Sequence, residues 1–170
     1  MIKVTIVPRG KSLGAAWYLP EEKQILNTDK ILDEMTATLG GRAAEEVVFG
    51  KVSTGALNDL ERVTKQSYAM VSIYGMNKKL GNISYYNFPG ENDYNFFKPY
   101  SEKTAEMIDE EVKIIVEEQY NRAKNIINDN IEAFKKLADE LMVKEVIYKE
   151  DLVRILGERR FDKSEISENN

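Results

Sequence analysis

Apolar and polar residues alternate along Ile2-Lys-Val-Thr-Ile-Val7, with Ile2, Val4 and Ile6 on one side and Lys3 and Thr5 on the other. That period of two predicts a half-buried strand. Pro8-Arg-Gly-Lys-Ser12 is turn material, and Leu13-Gly-Ala-Ala-Trp-Tyr-Leu19 predicts a second strand, stopped by Pro20. The two form a hairpin or neighbouring strands. Gly14, Ala15 and Ala16 leave the second strand's backbone unshielded. Such a strand can recruit an extended peptide at its edge, or pack closely against another element.

The period then changes to that of helices. Asn27 or Thr28 can cap a helix from Asp29 towards Phe49, with Ile31, Leu32, Met35, Leu39, Ala43 and Val47 as its apolar stripe. Gly40-Gly41 interrupts it, marking a break or a close helix–helix contact, and the neighbouring Ala43 and Ala44 favour the contact. A second helix is predicted over about 55–74, behind the capping types Ser53 and Thr54, with Ala56, Leu60, Val63, Ser67, Met70, Val71 and Tyr74 inward and Gly75 ending it. Residues 76–100 read as irregular, with a short strand at Ile83–Tyr86 and a crowd of aromatics at Phe88, Tyr94, Phe96, Phe97 and Tyr100. From the cap Ser101 a long helix runs to about Ile127, and Asn128-Asp-Asn130 breaks it. Ile131 to about Lys144 and Glu150–Leu156 follow as helices, and the two long segments read as an antiparallel hairpin. The class is therefore mainly α, with a small β-hairpin or sheet near the N-terminus and a C-terminal helical hairpin. Residues 1–160 form the domain, and 161–170 read as a polar, disordered tail.

Composition narrows the chemistry. The formal charge of −5 argues against nucleic acid or an anionic membrane as the main partner. No apolar run approaches the roughly 18 residues of a membrane span. The chain has no cysteine and no histidine, so a metal held here must take nitrogen or sulfur ligands from elsewhere. Met1 leads straight into the first strand without a lead-in, as in a piece of something longer. Against that background Asp59 stands out. It lies about one turn inside the second helix, beside Leu60 and Val63, and is expected to point inward, where a carboxylate needs a cation or several donors. Glu45 and Glu46 fit a solvated face, or can back up or rival Asp59 as a ligand.

The order of motifs resembles a known family. Pro8-Arg-Gly10, Leu13-Gly-x-x-x-Tyr-Leu-Pro20, Leu39-Gly-Gly-Arg-Ala-Ala-Glu-Glu46 and Ser53-Thr-Gly-Ala-x-Asn-Asp-Leu60 are similar to the peptidase domain of FtsH, a family of membrane-anchored, ATP-dependent zinc metalloproteases. Tyr74-Gly-Met-Asn-x-Lys-Leu-Gly81, Lys98-Pro-Tyr-Ser101, Lys144-Glu-Val-Ile147 and Leu156-Gly continue the match, which covers about residues 1–160.

The resemblance implies a helical peptidase domain whose zinc site takes two His and a general-base Glu from an H-E-x-x-H helix upstream of the segment matching Ile2–Val7. This chain contains no such motif. The third ligand matches Asp59, with Thr54 and Asn58 as supporting donors and Glu45 or Glu46 as fallback ligands. The family's substrate strand matches Leu13, Gly14, Ala15, Ala16, Trp17 and Tyr18. The resemblance further implies polypeptide substrates, a homo-hexamer, an ATPase module in cis using ATP and Mg2+, and anchoring at the cytoplasmic or matrix face of an inner membrane through segments outside this chain. This chain by itself is expected to be inactive and to bind no zinc tightly. The competing expectation is a helical assembly module that mediates hexamer contacts.

Overall fold

The structure, a computed structural model, describes residues 2–8, 10, 14–18, 25–85 and 100–158. They fall into two compact units: a terminal unit of Met1–Lys23 with Asn130–Asn170, and a central unit of Gln24–Asp129.

In the terminal unit, β1 (Lys3–Thr5) is the middle strand of a three-stranded sheet in the order β2-β1-β3, with β2 at Ala15–Trp17 and β3 at Val146–Tyr148. Both pairings are antiparallel, and Val4 lies opposite Ala16 on one side and Ile147 on the other. The N-terminal hairpin is thus as expected, whereas β3 is an addition. Gly14 explains how β2 comes so close to β1, since a Cβ there would sit 2.8 Å from the Thr5 carbonyl oxygen. The Lys3 ammonium lies 5.2 Å from the centre of the Trp17 ring. The helices α5 (Ile131–Lys144) and α6 (Lys149–Leu156) flank β3 and pack on it. Glu145, at φ 60, makes the sharp exit from α5, and its carbonyl accepts hydrogen bonds from the Ile6 N–H and the Thr5 hydroxyl, both at 3.0 Å. The apolar interior of this unit rests on Ile147, fully buried, and Leu152.

The central unit is helical. The helix α1 (Thr28–Thr38) is capped by Asn27, whose side-chain oxygen accepts from the Lys30 N–H at 2.9 Å. A break at Leu39 separates it from α2 (Gly40–Phe49), so the glycine pair opens a new helix. The expected close helix contact is not found there, because a Cβ on Gly40 or Gly41 would meet no atom within 4 Å. A 3-10 turn, Thr54–Ala56, leads into α3 (Leu57–Ser72). Gly75, at φ 62, lets the Met76 N–H reach back to the Met70 carbonyl. Residues 83–85 are irregular rather than a strand, with the Tyr85 N–H bonded to the Ser72 carbonyl and the Tyr85 ring set edge-on against Tyr100. Phe88, Tyr94, Phe96 and Phe97 lie outside the described residues, as does the tail beyond Glu158.

The helix α4 (Glu102–Asp129) packs on α1, α2 and α3. Its Ala123 joins Ile31, Met35, Leu39, Ala43, Val63 and Met70 in one cluster, and its Ile108 and Val112 join Val71 and Leu80 in a second. Tyr74, expected inward, is exposed, because α3 has already ended before it. The two helices expected to form a C-terminal hairpin belong to different units: α4 packs within the central one, and α5 packs on β3 and α6 within the terminal one.

Candidate functional site

The residues singled out around Asp59 sit on α2, on the loop after it, and on the start of α3. Gly50, at φ 64, ends α2 and turns the chain into Lys51–Ser53. Ser53 is extended, and its hydroxyl oxygen accepts from the Gly55 N–H at 3.2 Å, which starts the 3-10 turn.

Asp59 lies in the first turn of α3 and is exposed, not inward as expected. The helical period does not account for this. Asp59 lies three residues after Ala56 and four before Val63, on the side that Val63, Ser67 and Met70 bury. It is exposed because no described residue covers that side at the first turn. Its carboxylate makes no hydrogen bond or ion pair among the described residues, and the same holds for the side chains of Thr54 and Asn58. The donors expected to satisfy Asp59 are therefore not engaged with it. Position in the first helical turn still favours a negative charge there.

The two glutamates are occupied. Glu45 accepts from both the N–H and the hydroxyl of Ser53, each at 2.7 Å, and these bonds hold its carboxyl below the usual range, with nearby Arg42 adding to the effect. Glu46 turns the other way. It accepts from the Tyr120 hydroxyl and, at 3.3 Å, from Lys124, and the Tyr120 bond contributes most to lowering its pKa. Tyr120 is in turn pushed up to about 12, by burial first and by Glu46 second, with the Lys124 ammonium 4.7 Å from its ring centre. Glu46 thus ties α2 to α4. No group of three or more His, Cys, Asp or Glu side chains able to hold a metal occurs among the described residues. Of the three candidate carboxylates, only Asp59 is uncommitted.

The second candidate element is β2, which has β1 on one side and no strand on the other among the described residues. Ala16, Trp17 and Tyr18 are exposed, Gly14 and Ala15 are half-buried, and Leu13 lies outside the described residues. The roles of Ser53 and Tyr120 as partners of the glutamates have no local signature. Tyr120 and Glu46 are 74 positions apart, and only the packing of α4 on α2 brings them together.

A sequence profile of peptidase family M41 matches residues 1–155. The chain is similar to the ATP-dependent zinc metalloprotease FtsH of Parabacteroides distasonis, 62% identical over 159 residues, covering 94% of this chain and 23% of that protein. It is 53% identical over 156 residues to the protein of the same description from Karelsulcia muelleri, covering 92% of this chain and 25% of that one. A mitochondrial inner membrane m-AAA protease component of Mus musculus is 45% identical over 161 residues, covering 95% of this chain and 20% of that protein. The chain therefore spans a quarter or less of the length of these relatives.

Proposed function

This chain belongs to peptidase family M41, and on that premise we propose that it forms part of an ATP-dependent zinc metalloendopeptidase acting on unfolded or membrane polypeptides. Within it, Asp59 supplies one protein ligand to the zinc. The observation that carries this is the contrast among the carboxylates: Glu45 and Glu46 are each committed to hydrogen-bond partners, while Asp59 is exposed and unengaged. The residues present fit one coordination position. The chain has no His and no Cys, and its carboxylates form no group of three able to hold a metal among the described residues, so it does not complete the three-ligand set of a catalytic zinc there. The remaining ligands and the general-base Glu belong to an H-E-x-x-H helix outside this sequence, and this chain alone is neither a tight zinc binder nor a peptidase. When bound, such an ion acts as a Lewis acid and acidifies its water.

The edge strand β2 is the second contribution. Its open side and small residues suit strand addition by an extended substrate, with Trp17 and Tyr18 as exposed aromatic contacts. The complete enzyme would be a membrane-anchored hexamer with its own ATPase module using ATP and Mg2+; among the described residues no helix is long and apolar enough to cross a membrane. A purely assembling role is the second reading, favoured by Met142 and Val143 on α5, which are 75% and 84% exposed. A discrete hexamer of this chain in sedimentation would support it.

The test of the zinc assignment is calorimetric titration of zinc into the complete protein with and without Asp59→Ala. Affinity should fall by more than the roughly 10–100-fold that loss of an outer hydrogen-bond partner costs. Unchanged affinity would sink the assignment. For β2, a photocrosslinker at Ala16 should capture an unfolded substrate in the active enzyme, and no capture there refutes docking.

A further inference from the structure

We propose that Glu45 is a positioning residue for the zinc ligand: it fixes Ser53, and through Ser53 it sets where α3 begins and where Asp59 stands. The proposal rests on the assignment of Asp59 as a ligand.

Ser53 is held through every polar group it has. Its N–H and hydroxyl both donate to Glu45 at 2.7 Å, its carbonyl accepts from Arg42 at 3.5 Å, and its hydroxyl oxygen accepts from the Gly55 N–H at 3.2 Å. Arg42 and Glu45 are three residues apart on α2, so they present one face to the serine. The two bonds to Glu45 orient the hydroxyl so that its lone pair is left for Gly55. The start of the 3-10 turn, and of α3 behind it, is therefore registered against α2 through one side chain. Charge alone would contribute little at this half-exposed surface, but hydrogen bonds to a backbone N–H and a capping hydroxyl fix geometry.

Asp59 lies six residues beyond Ser53. At about 1.5 Å per residue the lever is roughly 9 Å, so a tilt of about 5° shifts the carboxylate by about 0.8 Å. Metal–ligand distances tolerate only about 0.2 Å. Loosening of Ser53 that leaves the helix folded is enough to misplace the ligand.

Two measurements test this. In this chain without metal, Glu45→Ala should speed amide hydrogen exchange at Ser53 and Gly55 by about tenfold or more, whereas Glu45→Gln, whose amide can still accept from the Ser53 N–H, should stay within about threefold of the parent. In the complete protease, Glu45→Ala should weaken zinc binding by about 10–100-fold while Glu45→Gln rescues most of it. Equal loss in both variants would mean that Glu45 acts by its charge at the metal, and would overturn the proposal. Unchanged zinc affinity in Glu45→Ala, with Asp59→Ala abolishing binding, overturns the positioning role and leaves the ligand assignment standing. Unchanged affinity in Asp59→Ala overturns both. Should Glu45→Ala fail to fold, Ser53→Ala removes the hydroxyl part of the link, its bond to Glu45 and the one it accepts from Gly55, and leaves the N–H bond in place. It should weaken zinc binding in the same direction, and intact affinity there counts equally against the proposal.

Discussion

Ile147 is where the terminal unit can be tested hardest. It is fully buried at the centre of β3, opposite Val4 of the middle strand, and Leu152 is the only other buried apolar side chain among the described residues of that unit. Replacing it with Ala removes about three buried carbons. At about 0.8 kcal/mol each this is roughly 2.5 kcal/mol of transfer free energy, and the cavity left behind brings the cost to about 2–5 kcal/mol. A whole small domain is stable by only about 5–15 kcal/mol, so a unit with so slight an interior should open ahead of the rest. The chain has one tryptophan, Trp17 on β2, which makes its fluorescence a reporter of this unit, while far-UV circular dichroism follows the helices. In urea, Ile147→Ala should move the Trp17 transition to lower denaturant and leave most of the helical signal in place. Ile147→Val should shift it much less, by about 0.5–1.5 kcal/mol. A Trp17 midpoint changed by less than about 0.5 kcal/mol in the Ala variant would refute the assignment of Ile147 as the keystone of the sheet.

Two further outcomes follow from polar groups. Asp151 is lowered from 3.8 to about 2 by bonds from Lys144 and Arg154, and Glu140 is lowered by Arg154 and then Lys144. Both carboxyls are depressed in the folded state, so their contribution is present above about pH 4 and lost as pH falls towards 2. The Trp17 midpoint should drop across that window and the drop should shrink in Asp151→Asn; a flat profile would count against the network. Ser67 is fully buried on α3 with its hydroxyl unpaired. Ser67→Ala should leave thermal stability unchanged or raise it by up to about 1 kcal/mol, and a loss beyond that in calorimetry would mean that the hydroxyl has a partner.

Element type is legible in the sequence where the apolar period is sustained. The spacing through Ile108, Val112 and Ala123 marks α4, and the stripe through Val63 and Met70 marks α3. Turn chemistry is legible at Asn27, Gly75 and Gly157, where a cap or a positive φ leaves a local signature. Two kinds of feature are not. The strand β3 is three residues long, too short for a period of two to declare itself beside the helices around it, and it exists because β1 has an open side to receive it. The exposure of Asp59 is not legible, because its spacing to Ala56 and Val63 puts it on the apolar side of the helix, and only the packing shows that this side is uncovered at the first turn. The occupation of Glu45 and Glu46 depends on Ser53 and Tyr120, whose proximity only the folded chain creates.

The sheet of the terminal unit joins the two ends of the sequence: the Thr5 hydroxyl reaches the Glu145 carbonyl across 140 positions. During synthesis, β1 and β2 leave the ribosome long before β3 exists, and must wait for it as a two-stranded pair, which by itself is marginal in water. The central helices, whose contacts close over shorter spans, can assemble meanwhile. Once they have done so, they shorten the effective loop that β3 must close, and lower the entropy cost of the last pairing. The edge strand thus acquires its final support only once the residues of β3 have been made, and a protein trimmed before Val146 would lack it.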